Sequence, residues 1–173
     1  PGRRAVGGRD CEGAERMTTQ KDIMDALNDL TAQCFPGRTT YRDAWPEQFT
    51  RPSLFLVAEP REEIGGSRYT VELKQVFGVQ INDTVDDHYE ADTDRLSEET
   101  DRLMEALSLG VLPVGARALH IDKLASERVE AASVIKVTLH WFDDRPQRKT
   151  EQPPAAKGLD IVTQVRNNGG GTA

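Results

Sequence analysis

Cysteine, histidine and long apolar runs are scarce in this sequence, and each shortage closes off a class of protein. Two cysteines in 173 residues, Cys11 and Cys34, make neither a disulfide scaffold nor a zinc site. Cys11 sits in a Gly/Arg-rich segment and Cys34 on the apolar stripe of a predicted helix, which fits a reducing, intracellular compartment. No run of about 18 apolar residues exists, the length a membrane-spanning helix requires. The N-terminal arginines are not followed by the apolar stretch of a secretory signal. The motifs GxxxxGK[ST], GxGxxG after a strand, HExxH and GxSxG are all missing, so no familiar phosphate, dinucleotide, zinc-protease or serine-hydrolase chemistry is expected.

Charge is plentiful, and it is unevenly spread. The chain carries −7 overall, with 29% charged and 37% hydrophobic residues. Residues 1–16 hold +1 and residues 144–173 hold +2, which leaves −10 on residues 17–143. Such an acidic body repels phosphates, which argues against specific nucleic-acid binding. Mean hydropathy of −0.58 and this length point to one soluble domain with one modest core.

Patterning divides the chain into three parts. Residues 1–16 lack periodicity and read as a flexible extension, with Met17 as the native start. Residues 17–145 form one α+β domain, and residues 146–173 a flexible tail. Within that tail, LDIVTQV (159–165) could pair as a short strand with a partner chain.

The first element is a helix over 19–34, with Ile23, Leu27, Leu30 and Cys34 at helical spacing. Thr19 and Asp22 cap it, and Pro36-Gly37 ends it. TTYRDAW suggests a short strand, and RPSLFLVAEP (51–60) a second, entered through Pro52. EEIGGS reads as a turn. Tyr69, Val71, Leu73, Phe77, Val79 and Ile81 then alternate with polar residues, interrupted by Gln75, as in a strand with one buried face. A second helix is predicted over 88–108, capped by Asp87 and Glu90, with Leu96, Thr100, Leu103 and Leu107 inward. Residues 118–130 and 133–142 form a hairpin turning near Ala131-Ala132. The fold expected is α+β, with two helices on one face of a mainly antiparallel sheet of about four to five strands.

Few residues suggest chemistry. His120, Asp122 and His140 would meet only if both rings left one face of the sheet, and an exposed histidine pair is the preferred reading. Carboxylates from Asp86 to Glu105 are too many to single out an acid–base pair, so a solvated acidic face is expected, represented by Asp94, Glu98 and Asp101. Trp45, Phe49 and Arg51 lie where a partner could dock, or where they cover the core edge. Arg68 and Lys74, read as lying on the polar strand face, could meet acids of a neighbouring subunit. No enzyme, metal or cofactor is expected.

In order, KDIMDALNDL ending at FPG, TTYRDAWPEQF, RPSLFLVAEP, RYTVELKQVFGVQI, DRLMEAL and the hairpin VGARALHIDKLASERVEAASVIKVTLHWF resemble the tail terminator family of tailed phages and phage-derived contractile particles. Arg51-Pro52 and Leu119-His120-Ile121 carry most of this likeness, which covers 17–146. The resemblance implies a virion structural protein, assembled in the bacterial cytoplasm, that caps the tail tube as a ring, typically a hexamer. Its partners would be itself, the tail tube protein and head–neck connectors, with DNA passing through the ring and no membrane involved. The rival readings are a head–tail connector or minor capsid subunit, and a small non-viral binding domain or enzyme.

Overall fold

The computed structural model describes residues 17–145. The two flexible ends and the LDIVTQV strand expected from sequence lie outside the described residues. Helix α1 (Gln20–Cys34) begins at a reciprocal cap: the Asp22 amide donates to the Thr19 hydroxyl, and the Thr19 amide to the Asp22 carboxylate at 2.9 Å. Its buried residues, Ile23, Met24, Leu27 and Thr31, recur at helical spacing.

Seven strands follow, interrupted by one helix. They are β1 (Thr39–Arg42), β2 (Ser53–Ala58), β3 (Glu62–Gly66), β4 (Thr70–Asn82), then α2 (Thr93–Leu107), β5 (Val111–Val114), β6 (Arg117–Val129) and β7 (Ala132–Asp144). The sheet order is β1-β2-β4-β7-β6-β5, and β3 pairs with β4 alongside β2. β1 and β2 run parallel, while every other pairing is antiparallel.

This corrects the expected fold. The domain is mostly β, a mixed seven-stranded sheet strongly curled into a half-barrel, and not two helices on four or five antiparallel strands. The additional strands are short, and alternation has no room to declare itself in four or five residues. β3 is the segment EEIGG, read from its glycines as a turn. Gly66 is required there, since at φ +132° a Cβ would lie 2.3 Å from the Thr70 carbonyl oxygen. β5 carries Pro113, which a margin strand tolerates. Neighbouring strands fit tightly at Gly78, where a Cβ would approach a methyl of its cross-strand partner Val57 to 2.8 Å.

The second helix also starts later than its acids suggested. Asp92, not Asp87, is the N-cap and accepts from the amides of Asp94 and Arg95. Asp86 instead folds the preceding loop, accepting from the amides of His88 and Glu90, with Tyr89 at φ +62°. A short carboxylate that bonds nearby amides competes with the helix for them.

Both helices share one core with the inward faces of the long strands, built on Leu27, Leu54, Phe77, Leu103, Ile135 and Leu139. α1 reaches across the curled sheet, touching β5 near one margin and β2 near the other. Gln75, the polar break in β4, is buried because its amide donates to the Glu59 carbonyl at 2.7 Å and to the Gln20 side chain at 3.0 Å. Alternation puts Tyr69 on the buried face, but it precedes β4 and is 57% exposed.

Candidate functional site

Two groups of side chains stand out on the sheet face turned away from the helices. The first comes from the loop between β1 and β2. Phe55 of β2 points outward, opposite to Leu54 and Leu56, and would be an exposed aromatic if nothing covered it. Trp45 stacks on it at 4.3 Å between ring centroids, and Phe49 meets Trp45 edge-on at 4.8 Å. Arg51 lies over the Phe49 ring and donates to the carbonyls of Asp83 and Ala131 at 3.0 and 3.2 Å. The Tyr41 hydroxyl receives the Thr50 amide, which fixes the loop's other end and holds the phenol below its ordinary pKa, with the Thr50 hydroxyl contact the larger cause. Trp45, Phe49 and Arg51 are thus brought together, first as a clamp on their own sheet. Trp45 still keeps 42% of its surface exposed.

The second group crosses three strands. His120 and His140 are direct cross-strand partners, and the register shift between Ile121 and Lys123 brings the carboxylate of Asp122 between them. Asp122 Oδ1 lies 3.0 Å from His120 Nδ1 and 3.7 Å from His140 Nδ1. Glu72 of β4 holds His140 Nε2 at 2.8 Å, and Lys74 reaches Asp122 at 3.4 Å. Burial pushes the Asp122 carboxyl up, but hydrogen bonds from His120 and Lys74 and the charges of His140 and Lys74 outweigh it, so its pKa lies below the ordinary value. Phe142 packs edge-on against His140 and is 58% exposed.

Both histidines therefore do leave one face. They meet on an open surface, and among the described residues no set of three or more histidine, cysteine or acid side chains is arranged to hold a metal. Lys74, expected to await a neighbour's acid, already has one within the chain. Arg68 lies in the bend before β4 and not on the strand face; its guanidinium sits 5.7 Å from the Tyr69 ring centre. Asp94, Glu98 and Asp101 are all exposed along one side of α2, while Glu99 turns inward.

Glu99 belongs to a cluster that sequence reading missed. Arg38 pairs with Glu99 and lies 3.8 Å from Asp83, while Arg95 reaches Asp83 and Glu99, each at 3.4 Å. The Asp83 side chain is fully buried. Arg38 also stacks on Phe35, at the end of α1. The cluster ties the ends of α1 and β4 to α2, a task of cohesion inside one chain. Its only sequence signal was a charge at Glu99, inside the apolar stripe of Leu96, Leu103 and Leu107.

No protein-family model matches the chain, and a search of curated proteins finds no match.

Proposed function

We propose that the chain is a virion structural subunit that caps the phage tail tube as a ring, ends tube polymerisation and offers the head–neck complex a docking surface. The observation that carries this reading is that the sheet has two unlike open margins. One is made by β1 and β3; the other, among the described residues, by β5 and the distal half of β6. A ring closes through head-to-tail contacts, in which two different patches of each subunit meet. A molecule with unlike edges at opposite ends of one sheet is suited to that geometry.

Further support comes from the order of elements behind the family resemblance. That order runs from the helix ending at FPG, through the Arg51-Pro52 entry to β2 and the long β4, to the β6–β7 hairpin. In this reading Trp45, with Phe49 and Arg51 beneath it, and the exposed Phe142 are anchors for the tube or neck. The exposed acids Asp94, Glu98 and Asp101 line the channel, where like charge keeps DNA from adhering.

Purified tail tubes test the proposal. Mixed with the protein and viewed by electron microscopy, each tube should carry a ring at one end only. Binding along the tube wall, or no binding, sinks it. With Asp94, Glu98 and Asp101 changed to lysine, rings should still form on tube ends while DNA passage slows.

A further inference from the structure

Helix α1 and the β5–β6 turn enclose an open groove of about 600 Å³. Its floor is apolar, made by Met17, Ala26, Leu30, Leu112 and Val114. Met17, Ala26 and Leu30 pack against the core on one side and stay partly exposed on the other. The helix wall is acidic. Asp25 is held by Lys21 and Arg42, whereas Asp29 is exposed and has no ion-pair partner among the described residues. Water in such a groove meets apolar surface at a cost that an apolar occupant removes.

The same chain carries an apolar knob of opposite charge. Around the turn joining β3 to β4, Ile64 is 53% exposed and Tyr69 57% exposed. Arg68 lies over the Tyr69 ring and has no acid partner among the described residues. Of the acids in β3, Glu63 is taken by Arg145, and Glu62 stands opposite Lys74. The turn is held firmly. The Ser67 hydroxyl accepts from the amides of Tyr69 and Thr70, and Arg145 donates to the carbonyls of Ser67 and Thr70. Little ordering is left to be done when such a knob binds.

Knob and groove lie at one end of the sheet, joined by the last residues of β7. Asp143 accepts from the Thr18 amide at 2.7 Å and from Arg117 at 3.0 Å, and both donors line the groove. Two residues on, Arg145 holds the knob. Tyr69 also continues the inward parity of Val71 and Leu73, the side on which α1 packs. Yet neither Ile64 nor Tyr69 lines the groove of its own chain. Two complementary patches side by side close on themselves when two copies meet about a two-fold axis. Every contact is then made twice.

We propose that two copies of the chain pair in this way. Ile64 and Tyr69 of each copy enter the α1–β5 groove of the other, and Arg68 comes to lie beside Asp29. This inference concerns the free chain and does not rest on the assembly reading. Pairing covers the β5 margin, so the two copies must part before any other edge contact is made there.

Sedimentation of the full chain, without tail tubes, tests pairing separately from tube capping. As concentration rises, the mass should pass from one chain to two and stop there. Arg68→Glu and Asp29→Arg, both at exposed positions, should each weaken pairing about tenfold, because repulsion replaces attraction at two places. Tyr69→Asp should weaken it at least as much. An equimolar mixture of Arg68→Glu and Asp29→Arg chains should pair about as tightly as the unaltered protein, since both charge contacts of the mixed pair are again attractive. A mixture that pairs no better than its parts overturns the proposal. So does a single-chain mass at every concentration, the result expected if the groove stays open or a segment of the same chain fills it. A mass that grows beyond two chains overturns it as well, since the contact would then run head to tail.

Discussion

Two sets of charges, each assembled from distant parts of the chain, meet opposite fates. Arg38, Asp83, Glu99 and Arg95 gather between helices and sheet, where Asp83 is fully buried and both Arg38 and Glu99 are 9% exposed. His120, Asp122, His140, Glu72 and Lys74 gather on the outer face, where His120 is 66% exposed. Inside, Arg38, Asp83 and Glu99 depend on their partners, because burial leaves solvent little room to replace a lost one, while Arg95, 49% exposed, closes the set from the solvent side. Outside, solvent stands ready, and each pairing is worth little. The inner set therefore holds the chain together, and the outer set adds little to that task.

The largest effect should come from breaking the inner set on one side. Arg38→Met leaves Asp83 and Glu99 with Arg95 as their remaining cation and should cost about 3–5 kcal/mol in urea unfolding. Neutralising the acids as well, with Asp83→Asn and Glu99→Gln, should recover part of that loss, because the stranded charge is the main penalty. If the triple variant is no more stable than the single one, packing of Arg38 on Phe35 matters more than its charge.

A middle-sized effect is expected where aromatic packing meets the open face. Trp45→Ala uncovers Phe55 and should cost about 1–2 kcal/mol, less than a core truncation because Trp45 is already partly wet. The two tryptophans give a direct readout, since Trp141 is 5% exposed against 42% for Trp45. Acrylamide should quench the Trp45 emission alone in the free protein. If the clamp is part of the proposed contact with a tail tube, adding tubes should protect that fraction from quenching.

What the sequence made legible follows from length and repetition. α1, β4 and the β6–β7 hairpin repeat their pattern often enough to be read, and the Thr19–Asp22 cap is a local bond between near neighbours. β3 and β5 are too short to repeat anything, and the sheet's curl depends on pairings that no local pattern encodes. The same holds for the sites. Trp45, Phe49 and Arg51 could be grouped because they are adjacent in the chain, but the Phe55 ring beneath them could not be foreseen. His120, Asp122 and His140 followed from a hairpin; Glu72 and Lys74 joined them only through β4–β7 pairing. Arg38, Asp83 and Glu99 come from separate elements, and nothing in their spacing announces a contact.

The smallest effect belongs to the outer set, and pH exposes it. The folded Asp122 carboxyl titrates below its ordinary value because His120 and Lys74 favour its charged form over the opposing effect of burial. Its contribution is therefore present above the unfolded carboxylate pKa of about 3.9 and is lost as pH falls through the lower folded value. Asp122→Asn removes that contribution at neutral pH, at a cost of at most about 1 kcal/mol for contacts this exposed. The stability difference between the two proteins should shrink as the solution is acidified below the unfolded value, which paired melts across that range can measure. A difference that persists unchanged in acid would mean that Asp122 acts by shape, holding the bulge of β6, and that the outer set is as structural as the inner one.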